Sequence, residues 1–375
     1  MIRVLHLIKT LGLGGAETNL LNLVGAFDSS KVETHVGYSW GGEIEPGFRA
    51  SGAKLFKYSS GSHKIKSLHT PFIILRIWAY LLKNRINVIH THNFNAHVWG
   101  ALAAKLAGCR LVEHVHDFRY EEPSYLESRG IRSSQFKTAG CFSKFSDRIV
   151  VLTKNNREFL MKKYSIKPER ITLMTNGIPL EAARKAVSGL RDRFSVPAGK
   201  KIVLAAARLS PEKNMGLILD IAKLEGLSGA FFLIAGDGPL KAELEERVKK
   251  EGLEGSVRLI GFYRNVLELL GISDIFIQPT LLELHSITMM EAMSVGVPAL
   301  VSKGVGCNDD FIADGTNGFL LDPNNPKKWA ETVRSLLAEP GMSTRVGLAG
   351  RRLVEEQCDI RKVAKKLESL YAGLL

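Results

Sequence analysis

The sequence predicts an α/β protein with two parallel β-sheets that are covered by helices. Short apolar runs alternate with amphipathic segments from one end of the chain to the other, which is the pattern of strand–helix–strand units. The chain has 375 residues, about the length of two domains. One segment, Glu181–Lys200, lacks a strand and coincides with a change in charge balance. Together these observations favour two domains over one.

Apolar runs predict the strands of each half in order. Seven are predicted in the first half, at Arg3–Ile8, Glu33–Tyr38, Lys54–Lys57, Val88–His92, Arg110–His114, Arg148–Leu152 and Ile171–Met174. Six are predicted in the second half, at Lys201–Ala206, Ala230–Ala235, Val257–Ile260, Ile275–Gln278, Ala299–Val301 and Gly318–Leu321. Helices are predicted between them, for example at Ala16–Phe27, Asn95–Ala107, Asn155–Tyr164, Met215–Leu224, Leu240–Glu251 and Pro326–Ala338. We therefore expect two Rossmann-like domains facing each other across a cleft.

The charge pattern helps to place the domain boundary. The net charge of +13 belongs to the first half, because residues 1–185 hold 27 Lys and Arg against 14 Asp and Glu, whereas residues 186–375 hold 24 of each. We predict domains at residues 1–182 and 186–358. The last helix, Ile360–Leu375, could pack on either domain. A basic first half predicts an anionic partner, either nucleic acid or a membrane surface.

A basic helix in the first half favours the membrane surface. The apolar segment Phe72–Leu82 is surrounded by Lys54, Lys57, Lys64, Lys66, Arg76, Lys83 and Arg85. Such a pattern is typical of membrane-surface binding, and equally of a core helix with a solvated basic edge. The longest apolar run, Pro71–Leu82, is too short to span a bilayer, and the apolar start of the chain is too short for a signal peptide. We expect a cytoplasmic protein, peripheral at the inner face of the membrane, that does not bind nucleic acid.

The cysteines indicate a reducing compartment. Cys109, Cys141, Cys307 and Cys358 are scattered without any Cys-x-x-Cys spacing. Such spacing is typical of buried free thiols rather than of a disulfide framework or a metal site.

Two glutamates stand eight residues apart at the start of a predicted helix. Glu283 lies in the loop after a predicted strand, and the helix is expected to begin near His285 or Ser286. Free backbone N–H groups at a helix start attract anions, and Glu291 lies on a helix face that borders the same cleft. Two solvated helix charges are the alternative. A ligand with both phosphate and hydroxyl groups, such as a nucleotide sugar, suits this arrangement.

Two further loops follow the first strand of each half. Gly14 and Gly15 lie in a glycine-rich turn in which the backbone can approach a phosphate closely, although the turn matches no standard phosphate-loop motif. Arg208 and Lys213 supply two cations that can neutralise a diphosphate leaving group. A plain tight turn and surface salt bridges are the alternatives. The aromatic pair Phe262–Tyr263 is predicted to border the nucleotide base.

Histidines close two neighbouring strands of the first half. Alternation puts His90 and His92 on one face, and likewise His114 and His116. Four imidazoles could bind zinc, but only Asp117 offers a further ligand nearby. We prefer a hydrogen bond from His116 to sugar hydroxyls. The sequence contains no Asp-x-Asp motif, so we expect neither a metal nor another cofactor.

Read together, several segments resemble the large family of retaining GT-B glycosyltransferases of the group-4 type. The resemblance spans nearly the whole chain in the family's order. Its motifs are Gly14-Gly-Ala-Glu17, His116-Asp117, Arg208 with Pro211-Glu-Lys-Asn214, Gly236-Asp-Gly-Pro239 and the pair Glu283 and Glu291.

The resemblance implies the roles of individual residues. Arg208 and Lys213 would hold the donor diphosphate, assisted by the amides of Ile287 and Thr288 at the helix start. Glu291 would bind the ribose hydroxyls and Glu283 the transferred sugar. His116 would lie near the sugar's 6-position, and Gly15 would approach a phosphate. The resemblance also implies that the C-terminal helix crosses back to the first domain.

The chain departs from the family at two places. The usual Glu-Gly-Phe-Gly is replaced by Glu283-Leu-His-Ser286, and Asn-Gly-Val-Asp by Asn176-Gly-Ile-Pro179. We therefore expect Leu284, His285 and Ser286 to decide which sugar is transferred.

The resemblance implies a metal-independent hexosyltransferase. It would move a hexose or N-acetylhexosamine from a nucleotide diphosphate sugar, with a UDP-sugar favoured, to a hydroxyl of a cell-envelope polysaccharide or lipid-linked acceptor. Two alternatives remain. A nucleotide-sugar 2-epimerase would need acid and base carboxylates, for which Asp117, Glu121 and Glu122 are the candidates. A non-enzymatic binder of anionic surfaces would not need the cations and carboxylates of the second half.

Overall fold

The chain divides into two units between Gly177 and Ile178, a few residues before the predicted boundary. The computed structural model describes residues 1–59, 70–116, 139–180 and 189–375. One unit comprises Met1–Gly177 with Ile360–Leu375, and the other comprises Ile178–Asp359. The second unit begins early because the amide of Ile178 donates to the carbonyl of Cys358 (2.8 Å) and its side chain joins that unit's core.

The first unit contains a seven-stranded parallel sheet in the order β3-β2-β1-β4-β5-β6-β7. The strands are β1 Ile2–Leu7, β2 Val32–Tyr38, β3 Lys54–Lys57, β4 Val88–Thr91, β5 Arg110–His114, β6 Arg148–Val151 and β7 Ile171–Leu173. The helices are α1 Gly15–Ala26, α2 Glu45–Ala50, α3 Thr70–Lys83, α4 Phe94–Ala107, α5 Ala139–Ser143 and α6 Lys154–Tyr164, with a 3-10 turn at Pro168–Arg170.

The second unit contains a six-stranded parallel sheet in the order β10-β9-β8-β11-β12-β13. The strands are β8 Lys201–Ala206, β9 Ala230–Ala235, β10 Val257–Gly261, β11 Ile275–Gln278, β12 Ala299–Ser302 and β13 Phe319–Leu321. The helices are α7 Leu190–Arg193, α8 Gly216–Ala222, α9 Lys241–Lys250, α10 Val266–Gly271, α11 Ile287–Ser294, α12 Asn308–Phe311, α13 Pro326–Ala338 and α14 Pro340–Gln357, with a 3-10 turn at Pro211–Lys213.

The predicted fold class is confirmed, since every predicted strand is present with ends that differ by at most one residue. Strands that are buried on both faces read as continuous apolar runs, which makes them easy to find in a sequence. The structure differs from the prediction of a linker at Glu181–Lys200, because Leu190 and Phe194 pack into the core of the second unit. The segment from residue 189 onward therefore belongs to that unit rather than to a linker.

The last helix, α15 Ile360–Ala372, packs on the first unit. Val363, Leu367 and Tyr371 are buried in one cluster with strand residues such as Val4 and Val88. The helix buries a stripe spaced three and four residues apart, as an amphipathic helix does on a sheet. None of the helices in the described part of the chain is long and apolar enough to cross a membrane.

The cysteines match the prediction in part. All four are thiols outside any disulfide bond, and Cys307 and Cys358 are buried. Cys109 is half-buried, however, and Cys141 is exposed on α5. The expectation of buried thiols throughout was therefore wrong for these two.

Candidate functional site

The sheet order of the second unit reverses at β8, which lies between β9 and β11. Open parallel sheets bind ligands beyond the carboxyl ends of their strands at such a reversal. The segment from Arg208 to Lys213 follows β8, and Glu283 follows β11. Residues that are far apart in sequence thus flank one switch point.

A backbone carbonyl fixes the segment after β8 against the end of β11. The carbonyl of Glu212 accepts hydrogen bonds from the amide of Leu281 (2.7 Å) and the hydroxyl of Thr280 (2.9 Å). Lys213 Nζ consequently lies 2.9 Å from Glu283 Oε2, and the two side chains are 19% and 21% exposed. The structure therefore pairs a predicted phosphate-binding cation with a predicted sugar-binding carboxylate.

Arg208 is exposed and forms no salt bridge with any of the described residues. Its loop lies against the Gly236-Asp-Gly-Pro segment. A β-carbon at Gly236 would collide with the carbonyl of Ala207, and one at Gly238 with that of Leu209. Both glycines have positive φ, so they are required for this close approach of two backbones. The guanidinium is left free to bind an anion.

The start of α11 is held by Ser286. Its hydroxyl accepts hydrogen bonds from the amide of Met289 (3.1 Å) and from the side-chain amide of Gln278 (2.8 Å). No residue in the described ranges accepts a hydrogen bond from the amides of Ile287 or Thr288. These two amides are available at the positive end of the helix dipole.

The loop after β12 supports the Glu283 loop from the other side. Gly306 has φ of +56°, and a β-carbon there would collide with the carbonyl of Glu283. The amide of Cys307 donates to the carbonyl of Leu284 (2.9 Å). Sequence reasoning missed Gly306 and Gln278 as supports of the site. The pair of glycines at 304 and 306 was the available signal.

The glutamate inside α11 has an altered acidity. Glu291 is half-buried on the helix, and burial raises its pKa to about 7. Loss of water around a carboxylate disfavours the charged form. Glu291 therefore changes charge near neutral pH.

The three residues that replace the family's usual motif lie in the interior. Leu284, His285 and Ser286 are each 4% exposed. The His285 ring packs edge-on against Phe311, with the ring centroids 5.1 Å apart, and burial lowers its pKa to about 4. Any effect of Leu284 and His285 on sugar choice must therefore act through the shape of the loop.

The aromatic pair follows β10. Phe262 is 58% exposed, whereas Tyr263 is half-buried and its hydroxyl donates to Glu268 Oε2 (2.6 Å). Strand β10 is the edge strand of the sheet, and β9 lies between it and β8. The pair therefore lies beyond the carboxyl end of the edge strand, on the same side of the sheet as the loop after β8. Phe262 is the ring that is available for stacking.

The glycines of the first unit lie where the strand order reverses between β1 and β4. Gly14 is the N-cap of α1, and its carbonyl accepts from the amide of Thr18 (2.9 Å). A β-carbon at Gly15 would meet no described atom within 4 Å. The described part of the chain therefore leaves room for a side chain at position 15, and steric packing does not explain the glycine there.

Five histidines share one face of the sheet near the same end. His6 on β1 pairs in register with His90 on β4, and the ring of His116 stacks on that of His114, with centroids 3.9 Å apart. His92 links the group, since its Nε2 lies 3.0 Å from His6 Nδ1 and its Nδ1 lies 3.3 Å from His116 Nε2. Only His116 is not fully buried. The carboxylates Asp117, Glu121 and Glu122 lie outside the described residues.

Burial also changes the acidity of the inner histidines. It lowers the pKa of His90, His92 and His114 well below the ordinary range, with further lowering by the neighbouring imidazoles. These rings are neutral at physiological pH. The nitrogen without a proton on each ring is therefore a lone-pair donor.

Two family profiles match the chain, one in each half. Residues 189–353 match the family profile described as glycosyl transferases group 1. Residues 13–182 match the profile described as glycosyltransferase family 4. The two profiles between them match most of the chain. The chain belongs to the group-4 family of glycosyltransferases with the GT-B fold, and it is an enzyme.

Individual relatives are distant. A UDP-Gal:alpha-D-GlcNAc-diphosphoundecaprenol alpha-1,3-galactosyltransferase of Escherichia coli is 26% identical over 262 residues, which cover 67% of this chain and 66% of the relative. The putative glycosyltransferase EpsF of Bacillus subtilis is 26% identical over 344 residues, covering 88% and 86%. The crystal structure of Anabaena Alr3699/HepE in complex with UDP-glucose has a TM-score of 0.85 at 18% identity and covers all of both chains.

Proposed function

We propose that the enzyme transfers a hexose or N-acetylhexosamine from a UDP-sugar to a hydroxyl of a cell-envelope polysaccharide or lipid-linked acceptor. The observation that carries this proposal is the cluster of Arg208, the Lys213–Glu283 pair and the free amides of α11 at one switch point. The names of relatives support the donor and acceptor classes, since one uses UDP-Gal with a diphosphoundecaprenol acceptor and another was crystallised with UDP-glucose.

Each group has a distinct task in this proposal. The guanidinium of Arg208 and the ammonium of Lys213 offset the negative charge that develops on the departing diphosphate. Glu283 orients the transferred sugar, and Glu291 accepts hydrogen bonds from the ribose hydroxyls. Phe262, with Tyr263, borders the base. Lys213 can serve both Glu283 and a phosphate, because an ammonium has three N–H donors.

Three residues of the first unit have proposed roles of their own. His116 bonds to hydroxyls of the transferred sugar, while Gly14 and Gly15 present backbone to a phosphate. The open space around Gly15 supports this role, since packing does not explain the glycine. A side chain at this position would reduce the approach of an anion to the backbone.

We propose that transfer retains the anomeric configuration and requires no metal. The acceptor hydroxyl attacks the anomeric carbon from the face that the diphosphate leaves. The bond from carbon to the phosphate oxygen breaks, and that oxygen takes the proton of the hydroxyl. No side chain acts as a nucleophile, so the protein contributes position and charge.

One experiment separates the transferase from the epimerase. The protein is incubated with UDP-glucose, UDP-galactose or their N-acetyl forms, with and without a lipid-linked sugar acceptor, and products are followed by NMR. We expect a new α-glycosidic bond only when the acceptor is present. Isomerisation of the donor without an acceptor would establish the epimerase instead, and a β-linked product would refute retention.

We also propose that the first unit binds an anionic membrane surface through α3. Ile73, Ile77 and Leu81 face the core. The opposite side exposes an apolar stripe at i, i+3, i+7 and i+10 with basic residues beside it, formed by Phe72, Leu75, Ala79 and Leu82 with Arg76, Lys83 and Arg85. An exposed apolar stripe with a basic border is typical of helices that lie in the membrane interface.

Liposome binding tests the α3 surface. The protein should pellet with vesicles that contain phosphatidylglycerol at low salt, and Phe72→Ser/Leu75→Ser should reduce this binding at least about tenfold. A matched control, Leu173→Ser, changes an exposed leucine outside α3. Equal binding by the α3 variant, or gel-shift binding to nucleic acid with none to vesicles, would contradict the proposal.

A further inference from the structure

Three histidines at the carboxyl ends of β4 and β5 bring their nitrogens together. One nitrogen each of His92, His114 and His116 lies within 4.8 Å of the other two. We propose that this trio is a binding site for a divalent transition-metal ion, with Zn²⁺ as the representative ion. Imidazole nitrogen is a preferred ligand of Zn²⁺, Cu²⁺ and Ni²⁺, and three histidines with one open position form a known zinc arrangement.

The spacing of the nitrogens fits such an ion. Tetrahedral zinc with Zn–N bonds of about 2.0–2.1 Å holds two nitrogens roughly 3.3 Å apart. His92 Nδ1 and His116 Nε2 already lie 3.3 Å apart. The His114 nitrogen needs to approach by at most about 1.5 Å, and the stacked rings of His114 and His116 must turn so that their lone pairs converge on the ion.

A fourth histidine fixes the orientation of His92. The distance of 3.0 Å between His92 Nε2 and His6 Nδ1 is that of a hydrogen bond. If His92 donates from Nε2, its Nδ1 lone pair points toward His116. Metal-binding histidines characteristically donate their second ring N–H in this way, which sets the tautomer. His6 thus orients a metal ligand, His92, without binding the metal itself.

His114 is the ring that most needs a partner. It is 1% exposed, and neither of its ring nitrogens has a hydrogen-bond partner among the described residues. A buried polar atom without a partner destabilises the folded state. A metal ion would satisfy one of the two nitrogens. His116 is half-buried and provides the side from which an ion can enter.

The neighbouring trio of His6, His90 and His92 is less suitable. It also satisfies the distance criterion, but all three side chains are fully buried. His90 Nδ1 lies 2.6 Å from the hydroxyl of Tyr371 on α15. Because none of these three rings reaches the surface, we assign the site to the trio that contains the half-buried His116.

Calorimetric titration of the tag-free protein with ZnSO₄ tests the assignment. Wild type should bind one ion, and His114→Leu should weaken binding at least about 100-fold because a ligand is lost. His35→Gln is the matched control, since His35 is a buried strand histidine that bonds to Glu33 and Tyr80 instead. Co²⁺ should give a visible absorption band of a tetrahedral site with wild type and not with His114→Leu.

The melting temperature gives a second readout. If His114 had only a packing role, zinc would not change the melting temperature of wild type and variant differently. Without metal, His114→Leu should melt no lower than wild type, because it removes two buried atoms without partners. With Zn²⁺, the melting temperature of wild type should rise and that of the variant should not. Absence of saturable zinc binding by wild type, or equal binding by His114→Leu, would overturn the assignment. His116→Gln, at the half-buried ligand, repeats the test if the leucine variant does not fold.

Occupancy of the site has a consequence that rests on the proposed function. A metal on His116 would withdraw this ring from the transferred sugar, so Zn²⁺ should inhibit transfer by wild type and not by His114→Leu. Zinc binding by calorimetry without inhibition would remove the proposed contact of His116 and leave the metal site standing. Absence of transfer under every condition would count against the proposed function alone, because calorimetry does not depend on it.

Discussion

Arg208 carries the most direct residue-level prediction of the proposed mechanism. Its guanidinium is exposed beyond β8 and has no carboxylate partner among the described residues. Arg208→Ala should therefore leave folding unchanged while lowering turnover about 10²-fold, equivalent to about 3 kcal/mol of transition-state stabilisation. The measurement is kcat/KM with a donor that the wild-type enzyme accepts.

Arg351→Ala is the matched control, since Arg351 is exposed on α14 and its salt-bridge partner among the described residues is Glu355, four residues away in the helix. It should keep turnover within about twofold, because such surface pairs contribute little. Wild-type turnover by Arg208→Ala would refute the proposed role of Arg208 as the diphosphate cation.

Glu291 predicts how stability and donor affinity depend on pH. Its pKa is raised to about 7 in the folded chain, so the proton contributes stability that is present at low pH and is lost as the pH rises through 7. Glu291→Gln should therefore be more stable than wild type at pH 8, by up to about 3 kcal/mol, and equal to it near pH 4. Urea unfolding at both pH values gives the comparison.

Donor affinity should rise with pH, whereas the stability that the Glu291 proton contributes falls. The charged carboxylate is the better acceptor for ribose hydroxyls, so the affinity of wild type for a UDP-sugar should increase up to about tenfold from pH 6 to pH 8. Glu291→Gln should bind more weakly at pH 8, with an affinity that is flat with pH. A wild-type affinity that does not vary with pH would contradict the assigned ribose contact.

At the scale of elements, the start of α11 depends on one hydroxyl. Ser286→Ala would remove the acceptor for the Met289 amide and for the Gln278 side chain, both of which are buried. We expect a loss of about 1–2 kcal/mol in the free energy of unfolding, measured by urea denaturation. Ser335→Ala on the exposed side of α13 is the control, and a similar loss there would show that the cap is not the cause.

The elements themselves could be predicted from sequence, whereas their side-chain pairings could not. Buried parallel strands such as β9 are continuous apolar runs, which a linear pattern reveals. The pairing of Lys213 with Glu283 spans 70 residues and depends on the carbonyl of Glu212, which no pattern in the sequence indicates. The candidate site residues were chosen by residue type and loop position, and their partners required the structure.

Short helices also escaped the sequence pattern. A four-residue helix such as α7 or α12 is little more than one turn, too short to show a 3.6-residue repeat. The helix α7 belongs to the second unit because Leu190 is buried in its core. This local packing, rather than the change in charge balance, determines to which unit α7 belongs.

At the scale of the whole molecule, the first unit is built from two distant parts of the chain. The C-terminal helix α15 supplies Val363, Leu367 and Tyr371 to the first unit's core. A chain that ends at Asp359 should lose the calorimetric unfolding transition of the first unit, because one face of its sheet would be exposed. The second unit, residues 178–359, should retain its own transition.

Limited proteolysis gives an independent check of this prediction. The truncated chain should be cleaved within residues 1–177 under conditions in which residues 178–359 survive. A matched truncation that removes only residues 373–375, after the end of α15, should behave as the full chain does. Survival of both transitions in the chain ending at Asp359 would show that the helix is dispensable for the first unit.

Every proposed role in this enzyme depends on the binding of a nucleotide diphosphate sugar. The most direct measurement is the unfolding temperature of the full chain in the presence of UDP-, GDP- and ADP-sugars. A UDP-sugar at 100 times its Kd should stabilise the protein by about 2.7 kcal/mol, and Arg208→Ala should lose this stabilisation at the same concentration. Absence of stabilisation by every one of these sugars, with the protein folded, would show that the protein is not a nucleotide-sugar enzyme of the proposed kind.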